Sequence, residues 1–187
     1  RGWINRNRIL LNGEAHYITV HQKEASQNRL INEVEIIDNR SKIKKTIANS
    51  YSRAPYFKEV WPLIENVLDF KTDKIGELAE NSVIQVCRYL GLGTEFELGS
   101  KSYSQTVELR KEKRLIAICN INNAREYINP IGGLSLYDKR TFAKEGIVLS
   151  FLKTNPIAYN QFNNPFIENL SIIDVMMFKS RHEVIRM

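Results

Sequence analysis

Two strand-like runs lie near the start of the chain, Asn5–Leu11 and Glu14–Val20. They are separated by Asn12-Gly13, a pair that tolerates φ > 0 and suits a type I′ turn, so the pattern predicts a β-hairpin. Ile31, Val34, Ile36 and Ile37 predict a further strand ending near Asp38. The period then changes from two to nearly four. Ile43, Ile47 and Tyr51 recur at helical spacing, which predicts a helix over about 41–53 that stops before Pro55. Phe57, Val60, Ile64 and Val67 mark the next helix, with Pro62 expected to kink or restart it. A long helix should follow from an N-cap at Asp73, presenting Ile75, Leu78, Val83, Val86, Cys87 and Leu90 and closed by Gly91.

Downstream, Thr94–Leu98 alternates like a strand and about 104–121 reads as a helix with a charged first half. Glu126–Asn129 is a short strand, and Asn129-Pro130-Ile131-Gly132-Gly133 is a loop. Tyr137–Glu145 should be a short helix closed by Gly146. Ile147–Leu152 is apolar enough for a strand covered on both faces. A polar, aromatic loop over 153–169 leads to a last helix with Ser171 as N-cap and Asp174 at the position where a capping box places its acid. Strands mixed with helices along the chain predict a mixed α/β (α+β) fold: one layered domain over 1–187, with a sheet packed by several helices and an N-terminal hairpin.

Composition changes this picture little, because 43% hydrophobic and 26% charged residues are ordinary for a globular chain and exclude disorder. The longest apolar stretch, around 171–175, is broken by Asp174 and falls far short of the roughly 20 residues that a membrane span needs. Cys87 and Cys119, 32 residues apart, fit neither a disulfide framework nor a zinc site, and three histidines without metal-ligand spacing add nothing to one. Both thiols are expected to be reduced core residues of a cytoplasmic protein. Net charge tells more. Of the +6 total, most lies in residues 1–60, which carry 11 Lys and Arg against 6 Asp and Glu. Arg40, Lys42, Lys44 and Lys45 fit the solvated face of the Ile43/Ile47/Tyr51 helix. Arg6 and Arg8 stand apart from that explanation, since both project from one face of the first strand, about 7 Å apart. Two guanidiniums so placed suit a pyrophosphate or carboxylate; the alternative is ion pairing with Glu14 or Glu35. Phosphate-loop, dinucleotide, hydrolase and kinase signatures are absent from the sequence.

Three stretches resemble the WbqC-like family. Trp3-Ile4-Asn5-Arg6-Asn7-Arg8-Ile9 with Tyr17-Ile18-Thr19-Val20 is similar to its "gWiNRNrI…yiTVP" segment. Glu126-Tyr127-Ile128, Gly132-Gly133, Tyr137 and Phe142 resemble its "YxsGxGGxxYxxxxxF" stretch. Tyr159-Asn160-Gln161, Phe166 and Leu170-Ser171-Ile172-Ile173-Asp174 resemble its "YxQ…F…LSiiD" ending. His21 departs from the family's Pro, and Asn129-Pro130 from its small residue and glycine. The chain opens Arg-Gly-Trp, and the resemblance implies an upstream segment of about 30 to 40 residues, longer than one strand–turn unit, carrying a "HQPxYxPxxGxF" motif.

That family is associated with bacterial O-antigen and surface-polysaccharide gene clusters. The resemblance implies that pathway more than a reaction. Together with the basic N-terminal face it leads to the expectation of a glycan-biosynthesis enzyme acting on a phosphorylated small molecule, a nucleotide-activated amino sugar. Acyl or aminoacyl transfer is the step expected, without a sequence signal of its own. The resemblance leaves the cofactor and the oligomeric state open. Asp174 and Tyr127 are the candidate catalytic residues, and Asn5, Arg6, Arg8, Gly132, Gly133, Tyr137 and Gln161 the candidate substrate contacts; no metal ligand is expected. Plainer roles compete at several positions: helix capping for Asp174, a turn for Gly132-Gly133, and packing for Tyr127 and Tyr137. Two other classes remain, a nucleic-acid or phosphate-surface binding module using the basic N-terminal third, and a non-catalytic assembly partner. The small charge of the remaining residues disfavours the nucleic-acid reading.

Overall fold

A computed structural model of the chain describes residues 3–24, 26 and 29–187. In chain order the strands are β1 (Arg6–Leu11), β2 (Glu14–Thr19), β3 (His21–Lys23), β4 (Glu35–Ile37), β5 (Glu126–Pro130) and β6 (Val148–Leu152). The helices are α1 (Arg40–Tyr51), α2 (Phe57–Leu68), α3 (Ile75–Leu90), α4 (Gly99–Ser102), α5 (Lys111–Ile121), α6 (Lys139–Lys144), α7 (Ile172–Phe178) and α8 (Arg181–Arg186). The fold is mixed α/β with the expected N-terminal hairpin, and its described strands pair in three small sheets: β1 with β2, β3 with β4, and β5 with β6. Two compact units form, one from Arg1–Glu95 with Ile157–Met187, the other from Phe96–Pro156. Among the described residues no helix is long and apolar enough to cross a membrane.

In the first unit, Asn12 (φ 53°) and Gly13 (φ 81°) make the turn with two consecutive positive φ values, as a type I′ hairpin requires. Val20 N–H donates to Asn5 O at 2.7 Å and Asn5 Nδ2 to Val20 O at 3.0 Å, closing the open end of the hairpin. α1 buries Ile43, Ile47 and Tyr51 against Ile9, Leu10, Val60, Ile64, Met176 and Met177. Its basic residues lie outside that core: Arg40 binds the Asp38 carboxylate, and Lys44 Nζ lies 2.7 Å from Asp69. The Arg40 guanidinium holds Asp38 down at about 2.

Several local expectations shift. α2 runs unbroken through Pro62, whose missing N–H removes one helical bond without ending the helix. The cap of α3 falls on Lys74, because Thr72 Oγ1 already accepts the Lys74 N–H at 3.0 Å. At its far end Gly91, at φ 74°, closes a Schellman motif: Leu92 N–H reaches Cys87 O and Gly91 N–H reaches Arg88 O. Residues 94–98 form no strand. The helix expected over 104–121 is a 3-10 turn, Ser104–Thr106, followed by α5 from Lys111. The last helix is two, since Ser180 and Glu183 form a capping box that starts α8.

The second unit centres on Cys119, Phe142, Ile147 and Leu149. β5 and β6 are parallel, joined through α6, and Tyr127 pairs with Leu149 across them. The expectation of two covered faces fails here. Leu149 is buried, while Val148 and Leu152 on the opposite face are 62% and 66% exposed.

Gly91→Ala should destabilise the first unit by about 1–2 kcal/mol, the cost of left-handed backbone for an L residue. The added Cβ also meets Arg181 Nη2 at 2.5 Å, although that guanidinium can move aside. Urea denaturation monitored by circular dichroism checks this.

Candidate functional site

The first and last family-like stretches bind each other within the first unit. Ser171 caps α7, its Oγ accepting the Ile173 N–H at 3.3 Å, while its own N–H donates to Arg8 O at 2.7 Å. Arg8 Nη2 reaches back to the carbonyl of Asn169 at 2.7 Å. The guanidinium of Arg8 therefore secures the approach to α7, and neither Glu14 nor Glu35 is its partner. Glu35 instead pairs with Lys23 and Lys74.

Asp174, in the first turn of α7, is fully buried. Its carboxylate does not cap the helix. Oδ1 accepts from Tyr51 Oη at 2.7 Å, and Oδ2 accepts from Tyr159 Oη at 2.7 Å and Gln161 Nε2 at 2.8 Å. Tyr51 Oη also accepts the Leu10 N–H at 2.8 Å, which links the carboxylate to β1. Gln161, likewise fully buried, donates to Ile167 O and accepts the Ile167 N–H, fixing the loop before α7. None of the three donors to Asp174 is a cation, so the charge is met by hydrogen bonds alone. Burial, and then the adjacent carboxylate, pushes the Tyr51 hydroxyl far above its usual range; the same two effects raise Tyr159. Both phenols remain donors. The network joins β1, α1, the 159–167 loop and α7, and it leaves no carboxylate oxygen open to a ligand.

Arg6 is held differently. Its guanidinium lies 5.6 Å from the Trp3 ring centroid and 5.3 Å from that of Tyr17, and these rings stack at 6.1 Å. Stacking of this kind fixes a guanidinium without using its donors. Among the described residues no acceptor or carboxylate engages Arg6, and its Nε is buried without a partner. Asn5, Arg6 and Asn7 border a cavity of about 670 Å³. Asn5 is occupied in closing the hairpin.

Tyr127, Gly132, Gly133 and Tyr137 belong to the second unit. The Tyr127 ring stacks on Phe142 at 5.7 Å, and Tyr137 meets Phe142 edge-on at 6.4 Å. Gly132 and Gly133 lie in a 3-10 turn; a Cβ on Gly133 would run into Asn129 Nδ2, whereas Gly132 faces open space. Burial raises the Tyr127 hydroxyl and the Cys119 thiol.

Reasoning from the sequence overlooked Tyr51 and Tyr17 as partners of the site. A signal existed for Tyr51, because a tyrosine on the buried stripe of a helix must find a partner for its hydroxyl. Tyr17 carried none, since it meets Trp3 and Arg6 only once the hairpin forms.

The network sets an alkaline limit on stability. Both tyrosines have folded values above the ordinary 10, so the stability they supply is complete below pH 10 and is lost as pH rises beyond it. The loss should approach about 1.4 kcal/mol per pH unit for the buried Tyr51 phenol and be smaller for the half-buried Tyr159. Tyr51→Phe should flatten that slope, and at pH 7 should cost about 2–4 kcal/mol by stripping partners from Asp174 and the Leu10 amide. Denaturation series between pH 7 and 11 measure both.

Comparison with curated proteins and with solved structures finds no match for this chain. The model of the WbqC-like protein family matches residues 1–186. Since that match takes in both units and all three stretches described above, the chain belongs to the WbqC-like family.

Proposed function

We propose that this protein is an enzyme of bacterial surface-polysaccharide biosynthesis that recognises a phosphate-activated sugar, with a nucleotide-activated amino sugar as substrate and acyl or aminoacyl transfer to its amino group as the reaction. The observation that carries the recognition step is Arg6. Its guanidinium lies beside the stacked rings of Trp3 and Tyr17, no acceptor engages it among the described residues, and it stands at the border of a cavity. A guanidinium beside two aromatic rings and lacking an acceptor is suited to a phosphate oxygen.

In this reading the two arginines have separate duties. Arg6 meets the phosphate, with Asn7 beside it, while Arg8 fastens β1 to the segment before α7. Asp174, Gln161 and Tyr51 hold β1 in place and act as positioning residues, because their polar atoms are already satisfied. For the second unit taken by itself, Tyr127, Tyr137, Gly132 and Gly133 are proposed ligand contacts, with Gly132 offering an unobstructed backbone. The basic run on α1 supports a small ligand over a polymer, since Arg40 and Lys44 are spent on Asp38 and Asp69.

Titration calorimetry of the protein with nucleotide-activated amino sugars checks the proposal. Binding should appear, and Arg6→Ala should weaken it at least tenfold, about 1.4 kcal/mol. Arg6→Lys should restore little, because an ammonium neither stacks flat nor forks. An absence of binding across the set, or equal affinity in Arg6→Ala, would contradict it.

A further inference from the structure

The cavity beside Arg6 has a character that sugar recognition does not use. Its volume, about 670 Å³, lies in the range of small-molecule sites. The walls are apolar side chains of α1, α2 and α3, including Ile47, Leu63, Val67, Ala79 and Val83. The two wall hydroxyls are already engaged: Ser82 Oγ donates to Ala79 O at 2.6 Å, and Ser171 Oγ caps α7. Besides the weakly polar Cys87 thiol and the Trp3 indole, the remaining polar groups of the lining come from Asn5–Asn7, contiguous at the start of β1. Among them Arg6 Nε is buried without an acceptor.

This polarity selects an occupant. Sugar hydroxyls against such walls would lose water without gaining partners, whereas a hydrocarbon chain gains by leaving water. The lone cationic group at the border asks for an anion, and Trp3, 59% exposed beside it, is the amphipathic ring type that suits a boundary between apolar and wet regions. We propose that the cavity binds a single-chain amphiphile with an anionic head group, its chain lying among α1, α2 and α3 and its head on Arg6. The proposal rests on the reading of Arg6 as an anion contact and adds a chain site that the sugar reading does not need. A second copy of this chain is the rival occupant.

Dodecyl phosphate is the probe, below its micellar concentration, with dodecanol and inorganic phosphate as the separate halves of its chemistry. Cys87 reports location, because its free thiol lies on the cavity wall, while Cys119 is buried in the other unit. Dodecyl phosphate should bind in calorimetry and slow maleimide labelling of Cys87 in a saturable way; inorganic phosphate should do neither. Val83→Phe, at a half-exposed position that intrudes on the cavity, should weaken dodecyl phosphate at least tenfold and leave nucleotide-sugar affinity at the wild-type value. Arg6→Ala should weaken dodecyl phosphate about tenfold while leaving protection by dodecanol unchanged. The chain site is overturned if dodecyl phosphate gives no saturable protection, if Val83→Phe binds it as tightly as wild type, or if light scattering shows a dimer in which Cys87 is protected without ligand. Protection by dodecyl phosphate in a protein that binds no nucleotide sugar would sustain the chain site and end the sugar reading.

Discussion

A carboxylate buried without a cation is held only by the hydrogen bonds aimed at it, and Asp174 sets that condition for the first unit. Removing an ionised carboxylate from water costs several kcal/mol even after relaxation. Tyr51, Tyr159 and Gln161 meet that cost from three directions. The donors come from two distant stretches, Tyr51 from α1 and Tyr159 with Gln161 from the 159–167 loop. The carboxylate is therefore satisfied only when α1, that loop and α7 stand in their native places. By comparison the five ion pairs of the described residues involve partly exposed side chains, and each is worth about 0–1 kcal/mol. The buried network therefore matters more to the geometry than the ion pairs do.

The consequence for function runs through β1. The Leu10 amide ends on the Tyr51 hydroxyl, and the Arg8 carbonyl ends on the Ser171 amide. Both ties lie within a few residues of Arg6. The strand that presents Arg6 is thus anchored from behind by buried groups, which frees Arg6 itself from structural duty. In the proposed function, a recognition residue supported in this way needs no movement of its own to meet a ligand, which keeps the ordering cost of binding small.

Much of the first unit was legible because its signals are local. Asn12-Gly13 and its strand-like flanks specified the hairpin, and Ile43, Ile47 and Tyr51 specified the face of α1. The ends of helices were less legible, since Thr72 and Ser180 changed them through side-chain bonds that compete with the expected caps. The charged run around 108–114 read as helix by propensity, yet part of it lies ahead of α5. For the site, strand alternation placed Arg6 and Arg8 on one face but could not show that Arg8 meets carbonyls 160 residues away. Asp174 read as a cap because local spacing favours that role; the competing partners lie 123, 15 and 13 residues distant. Long-range partners of a buried polar group have no local signature.

Amide hydrogen exchange in wild type and Tyr51→Phe tests this dependence most directly. If the buried carboxylate holds β1 and α7 as one cooperative piece, the amides of Leu10 and Ser171 lose protection together in the variant, by similar factors, while those of β6 exchange as in wild type. Loss of protection at Leu10 alone, with Ser171 unchanged, would contradict it, because Asp174 would then be filling a local vacancy and not organising the unit around Arg6.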